Sequence, residues 1–520
     1  MKLIPLVLTF SVLLCSVVEA KTNLSASEQK TNKALATVQE NPLLLRDFLF
    51  RMPKGGDLHS HLVGAVYAET FIQNAVDQNY CVEPVSLILI PPQKNGDNFS
   101  CKADQIPASK AIGPAQENYD LYNSLIDAFS MRNFIPAKQS GHQHFFASFE
   151  KFIALEQRNA EWVHEVASRA AMQNEQYLEL MITPNCDGCT DLAAKVKGQS
   201  IESLTKPESI LTQWDFANEV KVTQKSLQEI EQQRLTLGDC TAKPTNSVCK
   251  LKTRYLFQAL RALPKEYVFA QLAFAFKLLD AEAKSGQPLM VGVNMVMPED
   301  HFYTLQDYTE QMQIIGFLKS QYPKANVTLH AGELTLGLVP PEDLRFQINE
   351  AVHIGKAQRI GHGTDIIYEE NYQDLLKKMA AEHILVEVNL SSADVILGVE
   401  GDNHVFELYQ AYGVPLALST DDEGVLRIDL THEYQRAVET YNLTYTELKN
   451  LVRNSLEYSF LPGESLWQQH DYSQIHTACS NVKLSPIKLT DSCTKWLKTS
   501  EKAQQQMELE QRFENFERLF

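Results

Sequence analysis

The chain is short of positive charge. Its 47 lysines and arginines face 65 aspartates and glutamates, for a formal net charge of −18, and no run of basic residues interrupts that balance. Phosphate backbones are bound by clustered Lys and Arg, so nucleic acid is excluded as a natural partner. A membrane span is missing too: the one long apolar run, Leu3 to Val18, is shorter than the roughly 20 residues a spanning helix needs, and no later segment replaces it. No internal repeat or low-complexity tract stands out. What remains is ordinary globular material, 44% hydrophobic and 22% charged over 520 residues, enough for one large barrel with insertions or for two or three smaller domains.

The first twenty residues have the form of a removable signal peptide: Lys2, the apolar run, then Val18-Glu19-Ala20 with small residues where a signal peptidase reads. A lipoprotein reading through Cys15 is weaker, because Leu14 stands where a small residue is wanted. The mature chain is expected to begin near Lys21, secreted or periplasmic. It then keeps eight cysteines, an even set suited to disulfides outside the reducing cytosol. Eight cysteines allow about 105 connectivities, but the spacing suggests local pairs: Cys81 with Cys101, Cys240 with Cys249 and Cys479 with Cys493. Cys186-Asp187-Gly188-Cys189 has the spacing of a redox or zinc pair, yet one CxxC without a second pair nearby is weak, and a loop disulfide is the better reading.

Residues 21–50 are polar and helix-prone, ending in the amphipathic stretch Pro42 to Phe50, and are expected as a short helical lead-in. Apolar or β-branched runs then recur between helical stretches: Asp57–Leu62, Tyr177–Thr183, Thr253–Leu260, Leu289–Val296, Val327–Ala331, Arg359–Gly361, Ile384–Leu390 and Val414–Ser419. Eight strands alternating with helices are the sequence form of a (β/α)8 (TIM) barrel, although a doubly wound sheet alternates similarly. The barrel is expected over residues 51–470, with insertions at about 80–110 and 185–250, followed over 471–520 by a disulfide loop and a surface or partner-facing helix.

Chemistry concentrates at the ends of these runs. Asp57-Leu58-His59-Ser60-His61 places two imidazoles two residues apart on a strand, where they point the same way and can chelate one ion. Among fourteen histidines such a pair alone is weak. Three further segments change the odds: His330-Ala331-Gly332-Glu333, Gly361-His362-Gly363-Thr364-Asp365 and Ser419-Thr420-Asp421-Asp422. In a parallel barrel all strand C-termini converge on one face, where catalytic groups gather. The bland alternative, four unrelated polar strand ends in the right chain order, we put at roughly one in twenty. His142 and His144, opening a Phe-rich helix, read as capping or surface groups.

With Met52-Pro53-Lys54-Gly55-Gly56 before the H-x-H pair and Arg359-Ile360 before Gly361, these motifs resemble the adenosine deaminase family, and more closely its secreted growth-factor-related branch, from about Arg51 to Trp467. The resemblance implies a zinc-dependent hydrolytic deaminase converting adenosine or a related aminopurine nucleoside to the 6-oxo product and ammonia. It implies one Zn2+ per chain, held by His59, His61, His330 and Asp421. Glu333 would protonate ring nitrogen 1, His362 would orient and deprotonate the water, and Asp422 would bond ring nitrogen 7, with Gly332 and Met297 against the base. The related branch is commonly dimeric through its N-terminal helices, so a homodimer is an expectation.

Three positions depart from the family pattern. Val63 replaces an aspartate that contacts ribose, Met297 a glycine whose backbone approaches the purine, and Met181 a common arginine. They put the preferred substrate in question, leaving adenine, a modified adenine nucleoside or a nucleotide as alternatives. For a nucleotide phosphate, Lys54 and Arg345 are the only cations to name. A signalling or binding protein on the same barrel is the rival from another class.

Overall fold

A computed structural model describes residues 25–95, 98–112, 119–484 and 487–520. The expected signal peptide and Cys15 lie outside the described residues. Eight parallel strands form one sheet in sequential order: β1 Gly55–His61, β2 Glu175–Ile182, β3 Lys252–Leu260, β4 Met290–Val296, β5 Asn326–Ala331, β6 Arg359–His362, β7 Leu385–Val388 and β8 Leu416–Leu418. Every adjacent pair is parallel, and helices return the chain on the outside, as the alternation predicts.

The seam between β8 and β1 closes through a single bridge. His61 N–H donates to the Asp421 carbonyl (3.0 Å) and Asp421 N–H to the His59 carbonyl (2.9 Å). Asp57 reinforces it by accepting from Thr420 N–H (3.0 Å) and Oγ1 (2.6 Å). A register shift between Asp57 and Ser60 marks a bulge in β1 at the very residues that carry the first imidazole, a device that re-aims side chains beside sites.

The lead-in forms two helices, Ala26–Val38, opened by a Ser25/Glu28 capping box, and Pro42–Arg51. Phe48 of the second packs 5.1 Å from Phe516, so the lead-in and the chain's last helix share one apolar seam. That last helix, Glu501–Glu517, buries Ala503, Met507, Leu509, Phe513 and Phe516. The expectation of a surface or partner-facing helix is thereby corrected: its apolar stripe is spent on the chain's own core.

The β1–β2 excursion is longer than its sequence suggests. Short antiparallel pairs lie among the described residues of 81–95 and 98–107, but helices Tyr119–Ala128 and Gly141–Phe152 continue it. Met131 N–H donates to the Val425 carbonyl beyond β8 (2.8 Å), Gly141 lies against Val395 beyond β7, and His142 pairs with Asp300 beyond β4 (3.0 Å). The excursion therefore straps the C-terminal mouth of the barrel. Ser140, not His142 or His144, caps its second helix. The β2–β3 excursion is mostly helical, its longest helix being Ala217–Leu237. Disulfides join Cys81–Cys101, Cys186–Cys189, Cys240–Cys249 and Cys479–Cys493, the local pairs the spacing suggests. Among the described residues no helix is long and apolar enough to cross a membrane.

Candidate active site

At the mouth, His59 and His61 (β1), His330 (β5) and Asp421 (just past β8) meet. Their donor atoms crowd one point: His59 Nε2 and His61 Nε2 each lie 3.1 Å from His330 Nε2, and 3.4 and 3.3 Å from Asp421 Oδ1. Donors about 2.0–2.1 Å from a tetrahedral ion are separated by about 3.3 Å, so this is the spacing of a coordination shell.

The outer nitrogen of each imidazole decides what the inner one can do. His59 Nδ1 is 2.6 Å from Glu387 Oε2, His61 Nδ1 2.8 Å from Gln258 Oε1, and His330 Nδ1 2.9 Å from Asn294 Oδ1. An N–H on each Nδ1 satisfies all three contacts and leaves three Nε2 lone pairs aimed at one another beside a carboxylate. Only a cation makes that arrangement favourable, and oxygen partners on the far nitrogen are the usual support of metal-ligating histidines. The charges agree: although burial opposes it, Asp421 and Glu387 raise His59 to about 10, so the pocket calls for positive charge. The donor set fits a divalent metal, and His59, His61, His330 and Asp421 are the residues that would hold it.

Glu333, His362 and Asp422 surround this point. Gly332 (φ +75°) turns the chain past β5, and the buried Glu299 carboxylate fixes the turn by accepting from Gly332 N–H (3.2 Å) and Glu333 N–H (2.7 Å). Burial, aided by the charge of Asp421, drives the Glu333 carboxyl well above the ordinary range, which keeps it protonated. Its Oε1 lies 3.8 Å from His362 Nε2, a buried atom with no hydrogen-bond partner. Burial lowers His362 to about 3, so its ring is neutral. Asp421 and Asp422 are neighbours in opposite states. Burial works to raise Asp421, but the bonds from His59 and His61 hold it well below the usual carboxylate range, whereas burial lifts Asp422 to about 8 against the pull of His61. Asp422 Oδ1 is buried with no partner, a polar atom without an internal role.

Close approach explains one glycine of the motifs. A Cβ on Gly361 would stand 2.5 Å from the His59 ring, so that ring can lie across the barrel only over glycine. Met297, by contrast, keeps a left-handed backbone (φ 87°) despite its side chain, which is 36% exposed at the mouth. His362 (φ 70°), the last residue of β6, and Asp421 (φ 60°), past β8, do the same, a clustering of strained residues typical of functional sites.

The remaining candidates divide. Val63 sits half-buried just past β1. Met181 is packed in an apolar cluster with Leu256, Val291, Val296 and Phe460. Lys54 lies at the opposite end of the barrel, fully buried, its Nζ donating to the carbonyls of Leu49 (2.6 Å), Met52 (3.1 Å) and Gln173 (2.7 Å). Arg345 is exposed and paired with Glu370 (2.6 Å). Neither cation stands free to meet a phosphate at the site.

Several groups were missed from sequence. Glu387, Gln258, Asn294 and Glu299 orient the motif residues, and Arg261, buried below the mouth, donates to the carbonyls of Met297 (2.9 Å) and His330 (3.0 Å). One signal existed: Asn294 and Glu387 are each a lone polar side chain inside an apolar strand, whereas Gln258 shares its strand with Lys252, Thr253 and Arg254.

Comparison with known proteins points the same way. The family described as Adenosine deaminase matches residues 307–469, which carry β5 to β8. An adenine deaminase of Rhizobium leguminosarum bv. trifolii is 26% identical over 185 residues, 35% of this chain and 52% of that protein. An adenosine deaminase of Pectobacterium atrosepticum is 34% identical over 144 residues, 28% of this chain and 40% of that protein. The aligned stretches thus span about half the length of these relatives or less. In fold, an amidohydrolase from Burkhoderia ambifaria solved with bound Zn is similar over 85% of this chain and 91% of its own, with a TM-score of 0.50 and 15% identity. The matched stretch supplies His330, Glu333, His362, Asp421 and Asp422, while β1 brings His59 and His61 from outside it: residues 307–469 are similar to the adenosine deaminase family.

Proposed function

We propose that this protein is a secreted or periplasmic zinc-dependent aminohydrolase that converts adenosine or a related aminopurine nucleoside, with water, to the 6-oxo nucleoside and ammonia. The observation that carries the reading is the convergence of three Nε2 lone pairs and Asp421 on one point, with every Nδ1 committed to an oxygen. His59, His61, His330 and Asp421 would hold a divalent ion, which would supply acidified water, with a pKa of about 7, as the nucleophile.

The chain's own residues do the rest. His362, neutral and with a free Nε2, accepts the proton that water loses on attacking carbon 6. Glu333, protonated through burial, gives its proton to ring nitrogen 1 as the ring becomes tetrahedral at carbon 6. Ring nitrogen 7 is an acceptor and needs a donor, which Asp422 provides because burial keeps it protonated at neutral pH. His362 returns its proton to the exocyclic amine, which leaves as ammonia, while the proton of the carbon 6 hydroxyl passes to the ionised Glu333, so the 6-oxo group forms and both side chains are restored. The four disulfides support an extracytoplasmic setting. The buried Lys54 and the paired Arg345 favour a substrate without phosphate.

The test is ammonia release by the purified mature chain from adenosine, deoxyadenosine, adenine, AMP and N6-methylated nucleosides, with metal content measured before and after chelation. Turnover of one unphosphorylated aminopurine, lost on chelation and restored by one Zn2+ per chain, is the expected result. Two tightly held ions, or chelator-resistant turnover, would overturn the metal assignment. Silence across the panel with zinc bound would overturn the substrate class.

A further inference from the structure

The underside of the barrel holds a second concavity that deamination does not use. A cleft of about 460 Å³ opens where the chain after β8 folds back beneath the N-terminal ends of β5, β6 and β7. Its lining includes Lys356, Lys378, Lys502, His383, His470 and Tyr458. Asn326 and Arg359, which also border it, begin the strands that carry His330 and His362 at their other ends, so the cleft and the mouth lie at opposite ends of the same strands.

Its charge is unusual for this chain. Lys356, Lys378, Lys502 and Arg359 line the cleft against the two carboxylates of Glu382 and Glu457, in a protein of net charge −18. Lys356 is exposed and has no ion-pair partner among the described residues. Lys378 pairs with Glu382, and Lys502 donates to the Glu457 carbonyl (2.8 Å). The Glu457 carboxylate accepts from Ser465 Oγ (2.5 Å) and Gln506 Nε2 (2.5 Å) and pairs with His470 Nδ1 (2.7 Å), and its charge acts on Lys502, so Lys356 is the lysine left for a ligand. Arg359 is spent on Glu179 and Glu387 in the barrel interior.

The lining is also aromatic. Tyr458 and His470 stack at 5.2 Å with 10° between planes, and His383 stands 4.4 Å beyond His470. A bare phosphate would fill little of the space, whose volume falls in the range of small-molecule sites. We propose that this cleft is a second binding site, for a nucleoside monophosphate, with Lys356 taking the phosphate and the Tyr458–His470–His383 rings taking the base.

The test is calorimetric titration of the intact protein, its Lys356→Glu and His470→Ala variants, and Glu333→Gln, with GMP and with inorganic phosphate. GMP carries no amine at carbon 6, so it is not turned over. Wild type and Glu333→Gln should bind GMP alike and more tightly than phosphate. Lys356→Glu should weaken GMP by at least about tenfold while leaving turnover of the aminopurine substrate unchanged. His470→Ala should reduce the preference for GMP over phosphate. A matching rise in melting temperature with GMP, absent in Lys356→Glu, checks that folded protein is being read. No GMP binding at millimolar concentration, or equal binding by wild type and Lys356→Glu, overturns the site. Loss of GMP binding in Glu333→Gln alone places the ligand in the mouth and overturns it too. Phosphate binding as tightly as GMP overturns the nucleotide assignment.

Discussion

Strand β6 is four residues long, and its two ends are built on opposite plans. At its start Arg359 is saturated: Nε donates to Glu387 (2.6 Å), Nη2 to Glu179 (2.6 Å) and Nη1 to the Tyr458 carbonyl (3.1 Å). Glu179 in turn accepts from Tyr177 OH (2.7 Å) and Phe460 N–H (2.6 Å). At its end His362 is buried with an unpartnered Nε2, and Asp422 Oδ1 and Arg261 Nη2 are buried and unpartnered as well. Buried charges with every bond made belong to the scaffold. Buried polar atoms left without partners store capacity for something the protein must bind or transform.

Breaking the saturated end should do most damage. Arg359→Met leaves Glu179 and Glu387 buried without their cation and should cost about 3–5 kcal/mol in a denaturant melt. A loss under about 1 kcal/mol would show that the interior network is not what holds the barrel. Glu333→Gln attacks the other end: turnover should fall by about 10²–10⁴-fold while the melt shifts by no more than about 1 kcal/mol. A parallel loss of stability would erase the distinction between the two ends.

Gln258→Met sharpens the comparison, because Gln258 joins scaffold to site through His61 Nδ1. Zinc affinity should drop about 10–100-fold, read by competition with a chromogenic chelator, with little change in folding. The smallest effect is expected from Met297→Gly. Relief of the left-handed backbone offsets the freedom that glycine adds to the unfolded chain, so stability should change by less than about 1 kcal/mol. The ratio of kcat/KM between adenosine and bulkier aminopurines should move instead. An unchanged ratio would mark Met297 as packing.

The eight barrel strands were legible because each is an apolar run ending in polar residues, and the motif residues were legible because strand ends share a face. The rest was hidden for physical reasons. Glu387 serves His59 from 328 residues away, and Asn294 serves His330 from 36, distances that no spacing rule spans. Glu299 acts through two backbone amides, which leave no trace in side-chain chemistry. Lys54, a free cation on paper, is consumed by carbonyls at the far end of β1. The strap over the mouth was cut short at residue 110 because its later helices look like any amphipathic helices until His142 meets Asp300.

The barrel seam has a temporal meaning as well. Asp57 and Thr420, 363 residues apart, must meet before β1 and β8 can close, and the proposed ligands straddle that seam. As the chain is made, His59 and His61 emerge among the first structured residues and Asp421 long afterwards, so the ion pocket is the last part of the barrel to exist. Contacts of such long sequence separation form slowly. Metal capture is therefore a clock for this protein: uptake of the ion during refolding should follow the rise of helical signal and coincide with closure, and a chain cut before Leu416 should gather its helices yet hold no ion.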